Sequence, residues 1–246
     1  MTSNALAKLL LDRGVAVAGL VSLAPAFAIL MLLVWRHDRR SPLYVTERVA
    51  LGGGGFRMMK IRSMVADAER LGASSTAADD PRVTPVGRFI RRWKIDEFSQ
   101  LWNVAAGDMS LVGPRPQVVA EVATYTAEER RLLEVKPGIT DFSSIVFADE
   151  ADILHGASDP DLAYRHLIRP WKSRLSLFYV DHASVWLDVQ LIALTIVRLF
   201  SRQHALAGAS ALLARLAAPT DLVRIALRDA PLVPAAVPGM SRPFGA

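Results

Sequence analysis

From Gly14 to Trp35 the chain reads GVAVAGLVSLAPAFAILMLLVW, 22 residues without a charge. About 20 apolar residues are enough for a helix to span the hydrocarbon core of a bilayer. The run is long for the apolar core of a signal peptide, and the charged RHDRR that follows does not look like a small-residue cleavage site. Pro25 interrupts the run at its centre, where it removes a backbone hydrogen bond and kinks a helix. Lys8 and Arg13 precede the run, and Arg36, Arg39 and Arg40 follow it. Positive flanks favour the cytoplasmic side, so both ends compete for one face. Two readings stay open: a kinked spanning helix, or a helix–break–helix hairpin that enters and leaves by one face. Either holds the chain at a membrane.

Beyond this segment the periodicities become short. Leu43 to Val49, after Ser41-Pro42, predicts a strand. Gly52 to Gly55 reads as a hairpin turn, and FRMMKIRSM (56–64) alternates apolar and basic positions like a strand carrying Lys60 and Arg62. No GK[ST] follows the glycines, which excludes a P-loop. Residues 65–80 predict a start as helix and an end as loop. A helical region is predicted from about Val86 to Val104 and closed by Gly107, while prolines make 110–116 a non-helical loop. Thr126 with Glu129 forms a capping box for a helix that stops at Lys136-Pro137-Gly138. Trp186 to Phe200 is amphipathic, interrupted by Asp188, Gln190 and Arg198. It is too short and too charged to span a membrane, so it belongs on a surface or in the core. After about 205 the chain turns Ala/Leu-rich and then Pro-rich, which predicts one or two short helices and a loose end.

Composition narrows the chemistry. The 246 residues suffice for one main domain with appendages, and 52% hydrophobic content is high for a soluble protein of this size. A formal charge of +5 suits anionic lipids, phosphorylated substrates or nucleic acid alike. The absence of cysteine excludes disulfides, thiolate catalysis and cysteine-ligated zinc. Five scattered histidines offer no metal-ligand spacing. Catalysis therefore falls to carboxylates, Lys, Arg or hydroxyls.

Asp96-Glu97 is the carboxylate pair to weigh, set among Arg88, Arg91, Arg92 and Lys94. On local pattern it caps a helix and complements its dipole. The alternative is a nucleophile beside a metal-binding carboxylate, kept ionised by the surrounding positive charge. Lys60, Arg62, Arg88 and Arg115 are candidate phosphate ligands, because the guanidinium fork matches phosphate oxygens. Each could equally be a solvated surface charge. Pro114 and Pro116 pin Arg115 between them, a stiffness that ordinary surface loops rarely need.

Taken together, these residues resemble the bacterial sugar transferase family, the monotopic phosphoglycosyl transferases that initiate surface glycan synthesis. The resemblance runs from about Leu9 to Phe200. Its colinear markers are Asp12, Pro25, Ser41-Pro42, Arg48, FRMMKIRSM, the segment DPRVTPVGRFIRRWKIDEFSQLWNVAAGDMSLVGPRP (80–116) and VKPGIT. It implies an α/β fold, α-rich with few short strands, anchored by a re-entrant helix broken at Pro25. Amphipathic helices, Trp186–Phe200 among them, would rest on the membrane lipid. The catalytic part would face the cytoplasm on the bacterial inner membrane.

The resemblance also implies the chemistry. Asp96 and Glu97 fall on the family's catalytic dyad and would hold Mg²⁺. In a ping-pong reaction, Asp96 would attack the β-phosphate of a UDP-sugar and release UMP. Polyprenol (undecaprenyl) phosphate would then accept the sugar phosphate, initiating exopolysaccharide or another surface glycan. Lys60, Arg62 and Arg88 match positions near the phosphates, and Pro114-Arg115-Pro116 the loop associated with the nucleotide. The expected layout is 1–40 membrane helix, 41–205 catalytic domain and 206–246 C-terminal extension, with a homodimer left open.

Departures from the family pattern are specific. Ala24 precedes Pro25 where Ser is frequent, Ser99 stands where a Pro is usual, and Asp141-Phe142-Ser143-Ser144 replaces a Gly followed by a Trp-Gln pair. The last change bears on sugar or acceptor specificity. Three competing readings are a silent membrane scaffold, a glycosyl transferase that moves the sugar without its phosphate, and a nucleic-acid binder. The last lacks any aromatic–basic interleaving, so no nucleic-acid partner is expected.

Overall fold

The computed structural model describes residues 3–68, 80–93 and 95–242. Helix α1 (Ser3–Asp38) carries the apolar run and is long and apolar enough to cross a membrane. Its 36 residues extend about 54 Å if straight. The backbone stays helical through Pro25, so the break expected there does not divide α1 into two elements. A proline costs one hydrogen bond, which a long apolar helix can tolerate.

Strand β1 (Leu43–Val49) and strand β2 (Gly55–Ile61) form an antiparallel hairpin in the register Tyr44↔Lys60 and Arg48↔Phe56. The glycines turn the chain between them, two with positive φ (Gly52 at 71° and Gly53 at 86°) where a Cβ would be strained. Of the predicted segment 65–80, residues 69–79 lie outside the described residues.

The helical region expected from Val86 to Val104 is three short helices: α2 (Pro85–Arg92), α3 (Ile95–Phe98) and α4 (Leu101–Ala106). Thr84 caps α2, its hydroxyl accepting from the Gly87 amide at 2.9 Å. Asn103 bonds β2 twice, its Nδ2 donating to the Arg57 carbonyl at 2.8 Å and its Oδ1 accepting from the Met59 amide at 3.1 Å. Side chains thus satisfy backbone groups of β2 that would otherwise be buried unpaired, and this pull toward the strand accounts for the breaks. Gly107, at φ 97°, closes α4 as expected.

Part of the predicted 110–116 loop is strand β3 (Ser110–Val112). Beyond α5 (Val119–Val122) comes the capping box, in a 3-10 helix (Glu129–Glu134). Thr126 and Glu129 exchange both bonds at 3.1 Å. Strand β4 (Gly138–Thr140) then pairs parallel with β3. At this crossing a Cβ on Gly113 would lie 2.3 Å from the Lys136 carbonyl oxygen, so only glycine allows the approach.

Helices α6 (Phe142–Val146), α7 (Glu150–Leu154) and α8 (Pro160–Ala163) lead through a π-helical turn (Tyr164–Ile168) into α9 (Arg169–His182) and α10 (Val185–Phe200). Helix α11 (Arg202–Arg215) and α12 (Thr220–Leu227) complete the fold. One apolar core runs from Ala16 of α1 through Phe142, Leu175 and Leu191 to Leu213 and Ala226. The fold is therefore α-rich with few short strands.

The segment after α12 is not the loose end expected. Val237 is buried, the Pro238 carbonyl accepts from the Thr126 hydroxyl at 2.7 Å, and the Ala235 amide donates to His166 at 3.1 Å. These bonds satisfy backbone groups that a prolyl stretch cannot pair within itself.

Candidate active site

Asp96 and Glu97 occupy the first turn of α3. Ser99, on the same helix–turn, lies 2.8 Å from the Asp96 carbonyl oxygen and 3.1 Å from that of Met59. Its hydroxyl therefore fastens the dyad to β2, next to Lys60, where a proline would have no donor. The Ser99 departure exchanges one form of rigidity for another.

Arg115 enters from the opposite side, on the loop after β3. Its Nη2 donates to Glu97 Oε1 at 3.0 Å. The fields of Glu97, Glu150 and Asp96 hold its guanidinium more firmly protonated than usual, against the cost of burial. Lys60 is pulled down to about 8, by burial first and by Arg115 second, while Asp96 and Glu97 oppose the shift. Arg48 adds further positive field from β1. Lys60, Asp96, Glu97 and Arg115 thus form one electrostatic cluster.

Arg62 and Arg88 make their described contacts elsewhere. The Arg62 fork closes on Asp38 at the end of α1, with Nη2 donating to Oδ1 at 2.6 Å. Arg62 therefore holds the apolar helix to the hairpin, since an Arg–carboxylate fork is spent once both arms are used. Arg88 is exposed on α2 and donates to the Val83 carbonyl at 3.5 Å. Lys94 lies outside the described residues.

A residue that sequence reading did not place here is Arg198. Burial lowers its pKa, while Glu97 raises it and Arg115 lowers it, so it sits within the field of the cluster. The signal was present: an arginine on an otherwise apolar helix is seldom buried without a charged neighbour.

Pro114, Arg115 and Pro116 also wall a cleft on the far side of their loop, with Tyr125, Tyr164 and Lys172 opposite. Asp96 and Glu97 are not among its lining residues, so Arg115 is shared between this cleft and the carboxylates. The altered segment 141–144 contributes to its base. Asp141 is buried, caps α6 through the Ser144 amide at 2.7 Å, and accepts from the Ser143 and Ser176 hydroxyls at 2.7 and 2.5 Å.

The apolar helix is tied to the same body at both ends. Asp12 accepts from the Leu111 amide at 3.0 Å, and Lys8 pairs with Asp188 of α10 at 2.6 Å. Asp38 holds Arg62 at the other end. Pro25 lies between these anchors. Large apolar side chains stand exposed nearby: Trp93 and Trp102 beside the dyad, and Trp186 and Phe200 of α10 at 70% and 86% exposure.

Comparison with known proteins agrees with this picture. The bacterial sugar transferase profile matches residues 3–202. The galactosyl transferase CpsE of Streptococcus agalactiae serotype III (strain NEM316) is 34% identical over 207 residues, 79% of this chain and 42% of that protein. The undecaprenyl-phosphate glucose phosphotransferase of Komagataeibacter xylinus is 36% identical over 203 residues, covering 78% and 35%. The UDP-N-acetylgalactosamine-undecaprenyl-phosphate N-acetylgalactosaminephosphotransferase of Aeromonas hydrophila is 33% identical over 193 residues, covering 76% and 43%. The chain thus spans less than half the length of these relatives. With the profile matched from the start of α1 to the end of α10, the chain belongs to the bacterial sugar transferase family.

Proposed function

We propose that this chain is a phosphoglycosyl transferase that moves a sugar-1-phosphate from a UDP-sugar to a polyprenol phosphate such as undecaprenyl phosphate. The observation that carries the reading is Glu97 bonded to Arg115 at 3.0 Å, with Asp96 and the buried Lys60 in the same field. Two cations and two carboxylates around one point suit a diphosphate and a carboxylate nucleophile.

Asp96 attacks the β-phosphorus of the donor. The bond from that phosphorus to the bridging oxygen breaks, and UMP leaves with the electron pair. A phosphoglycosyl group remains bonded to the Asp96 carboxylate. A phosphate oxygen of the polyprenol phosphate then attacks the same phosphorus and expels Asp96, giving a diphosphate-linked sugar. Arg115 and Lys60 hold the phosphate oxygens during both displacements, and Glu97 keeps Arg115 oriented. Asp96 and Glu97 are hard oxygen donors, and Mg²⁺ takes one or two carboxylates alongside phosphate oxygens and water, so the donor set fits that ion. Bound Mg²⁺ supplies neutralisation of the diphosphate charge.

The membrane topology belongs to the same reading: α1 lodges in the cytoplasmic leaflet of the bacterial inner membrane with both of its flanks on the cytoplasmic side. Support comes from the ties at Asp12 and Asp38, which hold both flanks of the apolar run against one body. Trp93, Trp102, Trp186 and Phe200 are the apolar side chains that would enter the lipid surface. The product would begin an exopolysaccharide or other surface glycan.

The test is UMP release from a panel of UDP-sugars by detergent-solubilised protein with Mg²⁺ and undecaprenyl phosphate. Lipid-dependent UMP is expected. Release of UDP instead would make the protein a simple glycosyl transferase and overturn the reading.

A further inference from the structure

Resting on that reading, we propose that the cleft behind Pro114-Arg115-Pro116 receives the glycosyl group of the donor, held by the hydroxyls of Tyr125 and Tyr164 and by the ammonium of Lys172. Arg115 is common to the dyad and the cleft. A phosphate held on it leaves one substituent on the cleft side and the others on the side of Asp96.

The order of the reaction decides which substituent belongs there. In a two-step displacement at one phosphorus, UMP must leave and the lipid phosphate must take its place. The sugar stays on the phosphorus throughout. Groups that exchange need an open path, whereas the group retained can sit in a walled pocket. The carboxylates lie outside the cleft beside exposed Trp93 and Trp102, where a lipid would arrive.

The lining matches a pyranose. Tyr125 and Tyr164 are half-buried, and neither phenol bonds to another described residue, so both hydroxyls are available to a ligand. Lys172 bonds Glu150 and stands 5.6 Å from the Tyr164 ring centroid. An ammonium and phenols together donate to and accept from sugar hydroxyls, and Glu150 orients the ammonium from outside the cleft. Leu132 and Pro137 give an apolar wall for the C–H face of the ring. At the base, Asp141 orients Ser143 and Ser176, both lining residues. The segment in which this chain departs from the family pattern is therefore the floor of the pocket.

The test uses the full chain in detergent with undecaprenyl phosphate, as wild type, Tyr164→Phe and Lys172→Met. UMP release is measured from UDP-glucose, UDP-galactose and UDP-N-acetylgalactosamine, together with inhibition by UMP, which has no glycosyl group. Tyr164→Phe removes one oxygen that has no partner among the described residues, so its unfolding midpoint stays at the wild-type value. The expected result is a KM for the preferred donor raised about tenfold in each variant. Discrimination among the three donors falls while UMP inhibition stays unchanged. Unchanged KM and donor preference in both variants would overturn the proposal. So would UMP inhibition that weakens in step with KM, because the cleft would then hold the nucleoside. A wild-type protein that releases no UMP from any donor would instead remove the phosphoglycosyl reading, and the subsite with it.

Discussion

Around Glu129 and around Glu97 the protein sets an arginine against a glutamate, at 2.9 and 3.0 Å, in different surroundings. Glu129 is 0% exposed and its partner Arg169 3%. Ser173 donates to the same carboxylate at 2.7 Å, the Thr126 amide at 3.1 Å, and Arg169 also reaches Thr124 at 2.8 Å. Arg169 is shared there between Glu129 and Glu121, at 2.9 and 3.2 Å, and the network joins α9 to the 3-10 helix. At Glu97 the cations are in excess: Arg115, Lys60, Arg48 and Arg198 act on the two carboxylates, and Lys60 is brought down to about 8. A closed ion pair holds elements together, whereas a cation excess beside a cleft can accept an anionic ligand.

Four substitutions or conditions separate these two clusters. Asp96→Asn should lower UMP release by about 10⁴-fold or more, since an amide cannot act as the nucleophile, with no change in unfolding midpoint. Substantial residual release would remove Asp96 from that role. Glu129→Ala should act the opposite way, costing about 1–3 kcal/mol of stability by leaving buried donors of Arg169 and Ser173 unsatisfied, although Arg169 keeps Glu121 at 3.2 Å. Thermal unfolding would show this; an unchanged midpoint would mean that the network is not structural.

Arg115→Ala should lower kcat/KM for the donor about 100-fold through loss of one phosphate clamp, with a smaller effect on stability than Glu129→Ala. The smallest effect is that of pH. Lys60 is charged below about 8 and neutral above it, so donor binding through it is present at lower pH and lost as pH rises. A basic limb near pH 8 in kcat/KM, falling about tenfold per unit, is expected. Lys60→Arg should move it upward; a limb that stays in place would assign it to another group.

Much of this comparison could be read in the sequence, but only on one side. Asp96, Glu97 and Arg115 announced themselves by an adjacent carboxylate pair and a Pro-Arg-Pro loop. The Thr126/Glu129 capping box was equally legible, and both of its bonds form. That Glu129 also anchors Arg169 was not, because the two are 40 positions apart and no local rule joins them. Arg62 shows the reverse error. Its guanidinium chemistry and the family resemblance suggested a phosphate ligand, yet Asp38, 24 positions earlier, takes its fork. The helical region expected from Val86 to Val104 is helical but interrupted, because Asn103 and Ser99 spend their polar groups on β2.

The sequence by itself determined what depends on neighbours along the chain. The apolar run and its proline, the β1–β2 hairpin with its glycine turn, the glycine stop at Gly107 and the identity of the dyad all rest on residues within a few positions of one another. Tertiary structure alone decided which charges meet. It gave Arg62 to the membrane helix and Lys60 to the dyad, brought Arg198 in from α10, and pinned the prolyl tail through Thr126. It also tied Asp141 to Ser143 and Ser176 of the cleft that shares Arg115 with the candidate site. The physical reason is that burial leaves a charge or an amide no water to turn to. The partner it must then find is set by the packing of distant elements, not by sequence spacing.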